Sequence, residues 1–224
     1  MAKMKTEAPQ RGLLSQLVAT DHYYVYIHPL FTVPVPHCLV ENLEFHCIDL
    51  PITLAEYERL AHTNPDPRMW QEIIDSQDST SPHTHVFMTL SKGTLVNVTG
   101  MTVTRTDSVY SHIREFWPSF EDDNATLYAG YSETAPAFRR KGVYTWVHGT
   151  IFTWARDNGY RRVVLLEGKD QPGPRSSQDK LGSKVVTETC HITLFSGLRS
   201  KYRLHHWVTN PRMVQFLATR VHQL

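Results

Sequence analysis

Hydrophobic and polar positions alternate with a period of two over residues 43–48, 85–90, 94–104, 126–132, 162–167 and 184–195, in runs rich in aromatic and β-branched types. Successive side chains of a strand point to opposite faces, so each run reads as a strand with one buried side. The period lengthens to three and four at Val143, Trp146, Val147, Thr150, Ile151 and Trp154, which predicts a helix over 143–157, stopped by Asn158-Gly159. A shorter helix is predicted after Thr53, where Glu56 completes a capping box ahead of Leu54, Tyr57, Leu60 and Ala61. Another starts at Asp66-Pro67 with Met69, Trp70, Ile73 and Ile74 inward. Two more are expected at 175–181, ending at Gly182, and after Asn210-Pro211, with Met213, Val214, Leu217 and Val221 on one side.

Ser91-Lys92-Gly93 reads as a hairpin turn, residues 75–81 and 168–174 as loops, 107–123 as a connection, and 202–208 as a hairpin partner for 184–195. Residues 1–12 are polar, and 13–39 combine strand propensity with Pro29, Pro34 and Pro36, which suggests a short hairpin or edge arm. The order strand, two helices, three strands, helix, strand implies a mixed α/β (α+β) sheet. In it the helix over 143–157 crosses between two parallel strands, 126–132 and 162–167. Gly130, in mid-strand, marks a bulge or a close backbone approach. The expected organisation is an arm over 1–42, one domain over 43–208 and a terminal helix over 209–224, a size that a single core can fill.

Charge changes the picture by exclusion. With 23 basic and 22 acidic residues, nothing attracts nucleic acid or an anionic membrane in general, so any anion must be held by a local cluster. There is no apolar run of spanning length and no charged-then-apolar leader, and Cys38, Cys47 and Cys190 are scattered, so reduced thiols in a cytoplasmic protein are expected. The sequons at Asn97 and Asn124 then carry no meaning. His83 and His85 could share a strand face, but no carboxylate or cysteine stands at a supporting spacing, and no metal is expected there or at His205-His206.

The candidate chemistry sits where the strand over 126–132 turns at Pro136 and runs through Arg139-Arg140-Lys141-Gly142 into the long helix. The first amides of a helix lack intrahelical partners and the macrodipole is positive there, so a turn that leaves them open attracts a phosphate. Pro136-Ala137-Phe138-Arg139-Arg140-Lys141-Gly142-Val143 resembles the acyl-CoA-binding turn of the GCN5-related N-acetyltransferase superfamily, whose core is Gln or Arg, two residues, Gly, one residue, Gly or Ala. Arg139 and Gly142 match, and Tyr144 takes the last small position. The resemblance continues through 162–167 as the next strand and 177–182 as a form of the family's Tyr-x-x-x-Gly-Phe segment. In element order it covers 43–207, with specific motifs only over 128–182.

The resemblance implies the acyl-CoA N-acyltransferase fold with an extension at each end, and acetyl-CoA as co-substrate. The two parallel strands would splay, with the pantetheine arm between them. Main-chain amides and nearby side chains of Arg139, Arg140, Lys141, Gly142, Val143, Tyr144 and Thr145 would hold the phosphates, with Ser132, Glu133 and Thr134 beside the acyl end. Glu167, at the end of the later strand, is the first choice of base; pairing only with Arg161 or Lys169 is the equal alternative, and Glu133 and Tyr128 come second. Gln178 stands where the family carries its acid, so Ser177, Tyr131 or water would have to protonate the leaving thiolate.

Three functions compete: an N-acyltransferase acting on a small-molecule or peptide amine, a catalytically silent binder of CoA or a related nucleotide, and a phosphate-directed nucleic-acid protein. The balanced charge disfavours the third. The arm is expected to serve the acceptor side or a homodimer interface.

Overall fold

The computed structural model describes residues 18–31, 33, 35–48, 52–60, 84–103, 125–194 and 208–209. Its strands are β1 (Val18–Pro29), β2 (Leu43–Ile48), β3 (Thr84–Ser91), β4 (Thr94–Thr102), β5 (Thr126–Thr134), β6 (Arg162–Gly168), β7 (Lys184–Leu194) and β8 (Val208–Thr209). Its helices are α1 (Leu54–Leu60), α2 (Val143–Asp157) and α3 (Pro172–Leu181), with a 3-10 turn at Pro136–Phe138. The strands form one sheet in the order β2-β3-β4-β5-β6-β1-β7-β8. Among the described residues only β5 and β6 run parallel, as expected for strands joined by a crossover helix.

The first strand corrects the arm expectation. β1 is not at an edge: it pairs antiparallel with β6 along Tyr23–Pro29 and with β7 along Val18–Ile27. Its Val25, Tyr26 and Ile27 are buried. Pro29, read as an interruption, is the last residue of the strand and does not break it.

Alternation assigns the faces. Tyr26, Phe87, Leu127, Val163 and Leu165 meet Val143, Val147, Ile151, Phe152 and Ala155 of α2 on one face. On the other, Val86, Met88, Leu90 and Val98 pack with Tyr57 of α1, and Val25, Ile27, Tyr128 and Val164 form a second group. The Thr53 capping box forms, with Glu56 Oε2 accepting from the Thr53 amide at 2.7 Å and Thr53 Oγ1 accepting from the Glu56 amide at 3.2 Å. Donation from the Thr53 amide and from the Thr53 hydroxyl, at 2.8 Å, holds the Glu56 carboxyl below its usual range. The hairpin turn also forms, with Lys92 at φ 51° and Gly93 at φ 75°, both left-handed as a two-residue hairpin requires.

α3 begins at Pro172, three residues before the expected start, because a proline in the first helical turn gives up no intrahelical bond. Gly182, at φ 80°, closes it. The expected helices over 66–74 and beyond 211, and the connection over 107–123, lie outside the described residues.

Candidate functional site

The site is made by two strands that part. β5 and β6 pair only at Thr126↔Arg162, Leu127↔Val163 and Tyr128↔Val164, and the gap opens beyond them. The cause lies on the other side of β5: Gly100 faces Tyr131 and Met101 faces Ala129, so Gly130 is an extra residue and the strand bulges there. The bulge also reverses the alternation. Ala129 packs with the α2 face, whereas the Tyr131 ring packs with the Val86 and Met88 group on the opposite face. A cavity of about 170 Å³ fills the gap, lined among others by Gly130, Ser132, Tyr144, His148, Leu165 and Glu167.

The turn entering α2 has the form that the sequence suggested. Arg140 (φ 62°) and Gly142 (φ 85°) are both left-handed, and no side chain caps the helix at Gly142. With α2 starting at Val143, the amides of Val143, Tyr144 and Thr145 have no intrahelical acceptor. A β-carbon on Gly142 would stand 3.3 Å from the carbonyl oxygen of His37. The segment beside it is fastened on by the Leu39 amide, which donates to the Lys141 carbonyl at 3.0 Å, and by Cys38 Sγ, which donates to the same oxygen at 3.4 Å. Nothing in the sequence pattern signals that contact.

The basic side chains of the turn are partly committed. Arg139 donates to Glu133 Oε1 at 2.6 Å and to the Thr134 carbonyl at 2.9 Å, and Lys141 lies over the Phe138 ring. Ser132 and Thr134 sit in a polar ladder, with Asn97 Nδ2 donating to their hydroxyls at 3.3 and 3.0 Å and Thr99 Oγ1 2.8 Å from Ser132 Oγ. Thr145 Oγ1 donates to Ser177 Oγ at 2.8 Å, and Ser177 donates onward to the Gly173 carbonyl at 3.1 Å.

At the far end of the gap lies a buried polar cluster. Glu167 follows Val163 and Leu165 on the α2 face and is 7% exposed. Tyr144 Oη donates to its Oε1 at 2.5 Å, and Gln178 Nε2 donates to the same oxygen at 3.3 Å. Ser183 Oγ donates to Gln178 Oε1 at 3.0 Å, which fixes the amide with its nitrogen toward Glu167. The Tyr144 ring lies along α2, stacked on His148 one turn on at 4.1 Å between centroids. Lys169, the alternative partner expected for Glu167, is instead paired with Glu188 at 2.6 Å.

Burial sets the electrostatics. It pushes the Glu167 carboxyl up to about 7, against the two hydrogen bonds that lower it, and the His148 imidazole down to about 3. Burial and the neighbouring Glu167 charge push the Tyr144 phenol well above its usual range. A carboxyl that titrates near neutrality, in a cavity and bonded to a phenol, can exchange a proton with a bound reactant. The structure thus gathers Glu167, Tyr144 and Gln178 and adds His148, which the residue pattern offered only as one core histidine among thirteen. Tyr131 lines the same cavity, with its ring packed toward the Val86 and Met88 group, and the Glu133 carboxylate is paired with Arg139. Among the described residues no group of side chains could hold a metal ion, and no helix is long and apolar enough to cross a membrane.

No protein-family model matches the chain, and no curated protein does. Solved structures do. A GCN5-related N-acetyltransferase from Sphaerobacter thermophilus is 14% identical with a TM-score of 0.51, over 83% of this chain and 54% of that one. One from Kribbella flavida is 12% identical with a TM-score of 0.48, over 80% and 60%. The aminoglycoside N-acetyltransferase AAC(6')-Iy, in complex with CoA, is 10% identical with a TM-score of 0.42, over 72% and 95%. The chain spans about half the length of the first of these. Its mixed sheet, parted strands and crossover helix are the fold of the GCN5-related N-acetyltransferases.

Proposed function

We propose that the chain is an acyl-CoA-dependent N-acyltransferase, moving an acetyl group from acetyl-CoA to a primary amine by direct attack in a ternary complex. The observation that carries this reading is the gap between β5 and β6, which runs from an uncapped helix N-terminus to a buried carboxyl that titrates near neutrality. The open amides of Val143, Tyr144 and Thr145 suit a pyrophosphate, and left-handed Gly142 keeps the approach clear of a side chain. Arg140 and Lys141, both exposed, add positive charge beside it. In this reading Ser132 and Thr134 meet the pantetheine arm, and the amides around Ser132 and Glu133 meet the thioester oxygen. Glu167 is the base that takes the amine proton.

The acceptor is a small-molecule or peptide amine. A second reading, a silent binder of CoA or a related nucleotide, is favoured by one observation: the position of the expected acid holds Gln178, whose amide is committed to Glu167 and Ser183.

Two measurements separate them. Free thiol released from acetyl-CoA in the presence of a panel of amines reports transfer, and the rise in melting temperature on adding CoA reports binding. Stabilisation with thiol release supports the transferase; stabilisation without release under any amine leaves the silent binder; no stabilisation removes both.

A further inference from the structure

Acyl transfer needs a proton for the departing thiolate, for which the sequence offered Ser177, Tyr131 or water in place of the family's acid. Gln178 does not ionise. The proton of Ser177 is directed at the Gly173 carbonyl, and Tyr131, although it also lines the cavity, packs its ring with the Val86 and Met88 group on the opposite face of the sheet. Only Tyr144 among the described residues carries an ionisable hydroxyl that both lines the cavity and touches the carboxyl. It stands at the second residue of α2, where the similar turn has a small side chain, and its ring is held over His148. The exchange is therefore reciprocal: a tyrosine is missing from α3 and one is present on α2.

We propose that the Tyr144 hydroxyl protonates the leaving thiolate, with Glu167 restoring its proton, so that the two side chains form one relay from the amine to the sulfur. This rests on the transferase reading. The amine nitrogen attacks the thioester carbonyl carbon, the C–N bond forms, the C–S bond breaks, and its electron pair leaves on sulfur. The proton lost by the amine goes to the Glu167 carboxylate, the Tyr144 O–H proton goes to the thiolate, and the Glu167 carboxyl proton then passes to the phenolate across their 2.5 Å hydrogen bond. An amide and a free thiol are released, and both side chains end as they began. Burial makes the phenol a weak acid by itself, so its proton moves to the thiolate only as the Glu167 carboxyl, which accepts and releases one near neutral pH, replaces it.

The test compares wild type with Tyr144→Phe, which keeps the ring and removes the proton. Turnover with acetyl-CoA should fall about 100-fold, the usual scale for losing a general acid. Turnover with the acetyl thioester of 4-nitrothiophenol, whose thiolate leaves without protonation, should change little. The melting shift with CoA should persist, showing an intact fold and cofactor site. A loss equal for both donors makes Tyr144 a structural residue and overturns the relay, as does turnover as fast as wild type with acetyl-CoA. Loss of the CoA shift in the variant also overturns it, by making the hydroxyl a cofactor contact. A wild-type chain stabilised by CoA that releases no thiol with any amine overturns the transferase reading itself, and the relay with it.

Discussion

His148 and Glu167 meet through a single amide nitrogen: Gln178 Nε2 lies 3.4 Å from Nδ1 of the imidazole and 3.3 Å from Oε1 of the carboxyl. Donation to Nδ1 places the imidazole proton on Nε2, which is buried and has no hydrogen-bond partner among the described residues. Burial moves the two groups in opposite directions, His148 from 6.5 to about 3 and Glu167 from 4.5 to about 7. The folded chain therefore binds more protons at Glu167 than the unfolded chain between pH 4.5 and 7. It binds fewer at His148 between pH 3 and 6.5.

Stability from Glu167 is fully present below pH 4.5 and is lost as pH rises through 7, whereas stability from His148 is present above 6.5 and is lost as pH falls toward 3. Between 4.5 and 6.5 the two slopes oppose each other. Glu167→Gln removes one of them, so the variant should gain on wild type by about 1.4 kcal/mol for each pH unit across the window. Urea denaturation of both proteins at several pH values checks this. A difference that does not change with pH would mean that the carboxyl ionises as easily in the fold as out of it.

Gly142 governs the phosphate turn twice over. At φ 85° any other residue is strained, and a β-carbon would press on the His37 carbonyl at 3.3 Å. Gly142→Ala should cost about 1–2 kcal/mol in denaturant and shrink the melting shift with CoA. Gly142→Trp should abolish that shift by filling the turn. Full CoA stabilisation of the Trp variant would move the phosphate site elsewhere.

Legibility in the sequence followed the range of the signal. α2 was readable to its boundaries because a 3.6-residue period, a preceding glycine and an Asn-Gly stop all agree, and β2 through β6 because alternation and turn chemistry are local. Gly130 was readable as a bulge; its effect of turning Tyr131 to the other face was not, since that depends on the register with β4. β1 was misread as an edge because burial on both sides is supplied by β6 and β7, more than a hundred residues away. The site divides in the same way. The turn follows from local pattern and Glu167 from the family resemblance, but Tyr144 looked like a mismatch and Gln178 like a loss until the contact between α2, α3 and β6 joined them.

The interior position of β1 makes residues 18–29 indispensable, so the first 30 residues cannot be cut away. Removing them exposes the facing backbone groups of β6 and β7 and uncovers the side chains that Val25, Tyr26 and Ile27 bury. The truncated chain should be insoluble, or give no cooperative thermal transition by circular dichroism. A truncation that melts cooperatively with the temperature of the full chain would show that the sheet folds without β1.

Glu133 and Glu167 are both acidic and both close to the gap, and their surroundings predict opposite responses to the same change. Glu133 is half-buried and paired with the guanidinium of Arg139, which is half exposed, and such a pair contributes at most about 1 kcal/mol. Glu167 is enclosed by Tyr144, Gln178 and the sheet and can change its protonation near neutral pH. Glu133→Gln should keep acetyl-CoA turnover within a few-fold of wild type, with any loss in KM as Arg139 is released. Glu167→Gln should lower kcat by about 100-fold or more while the CoA melting shift remains. It should also remove the acid limb of the kcat profile near pH 7, because that limb is the carboxyl losing its proton to become the base. If the limb survives in Glu167→Gln and disappears in Glu133→Gln, the base is the carboxylate on β5, and the buried cluster serves the fold alone.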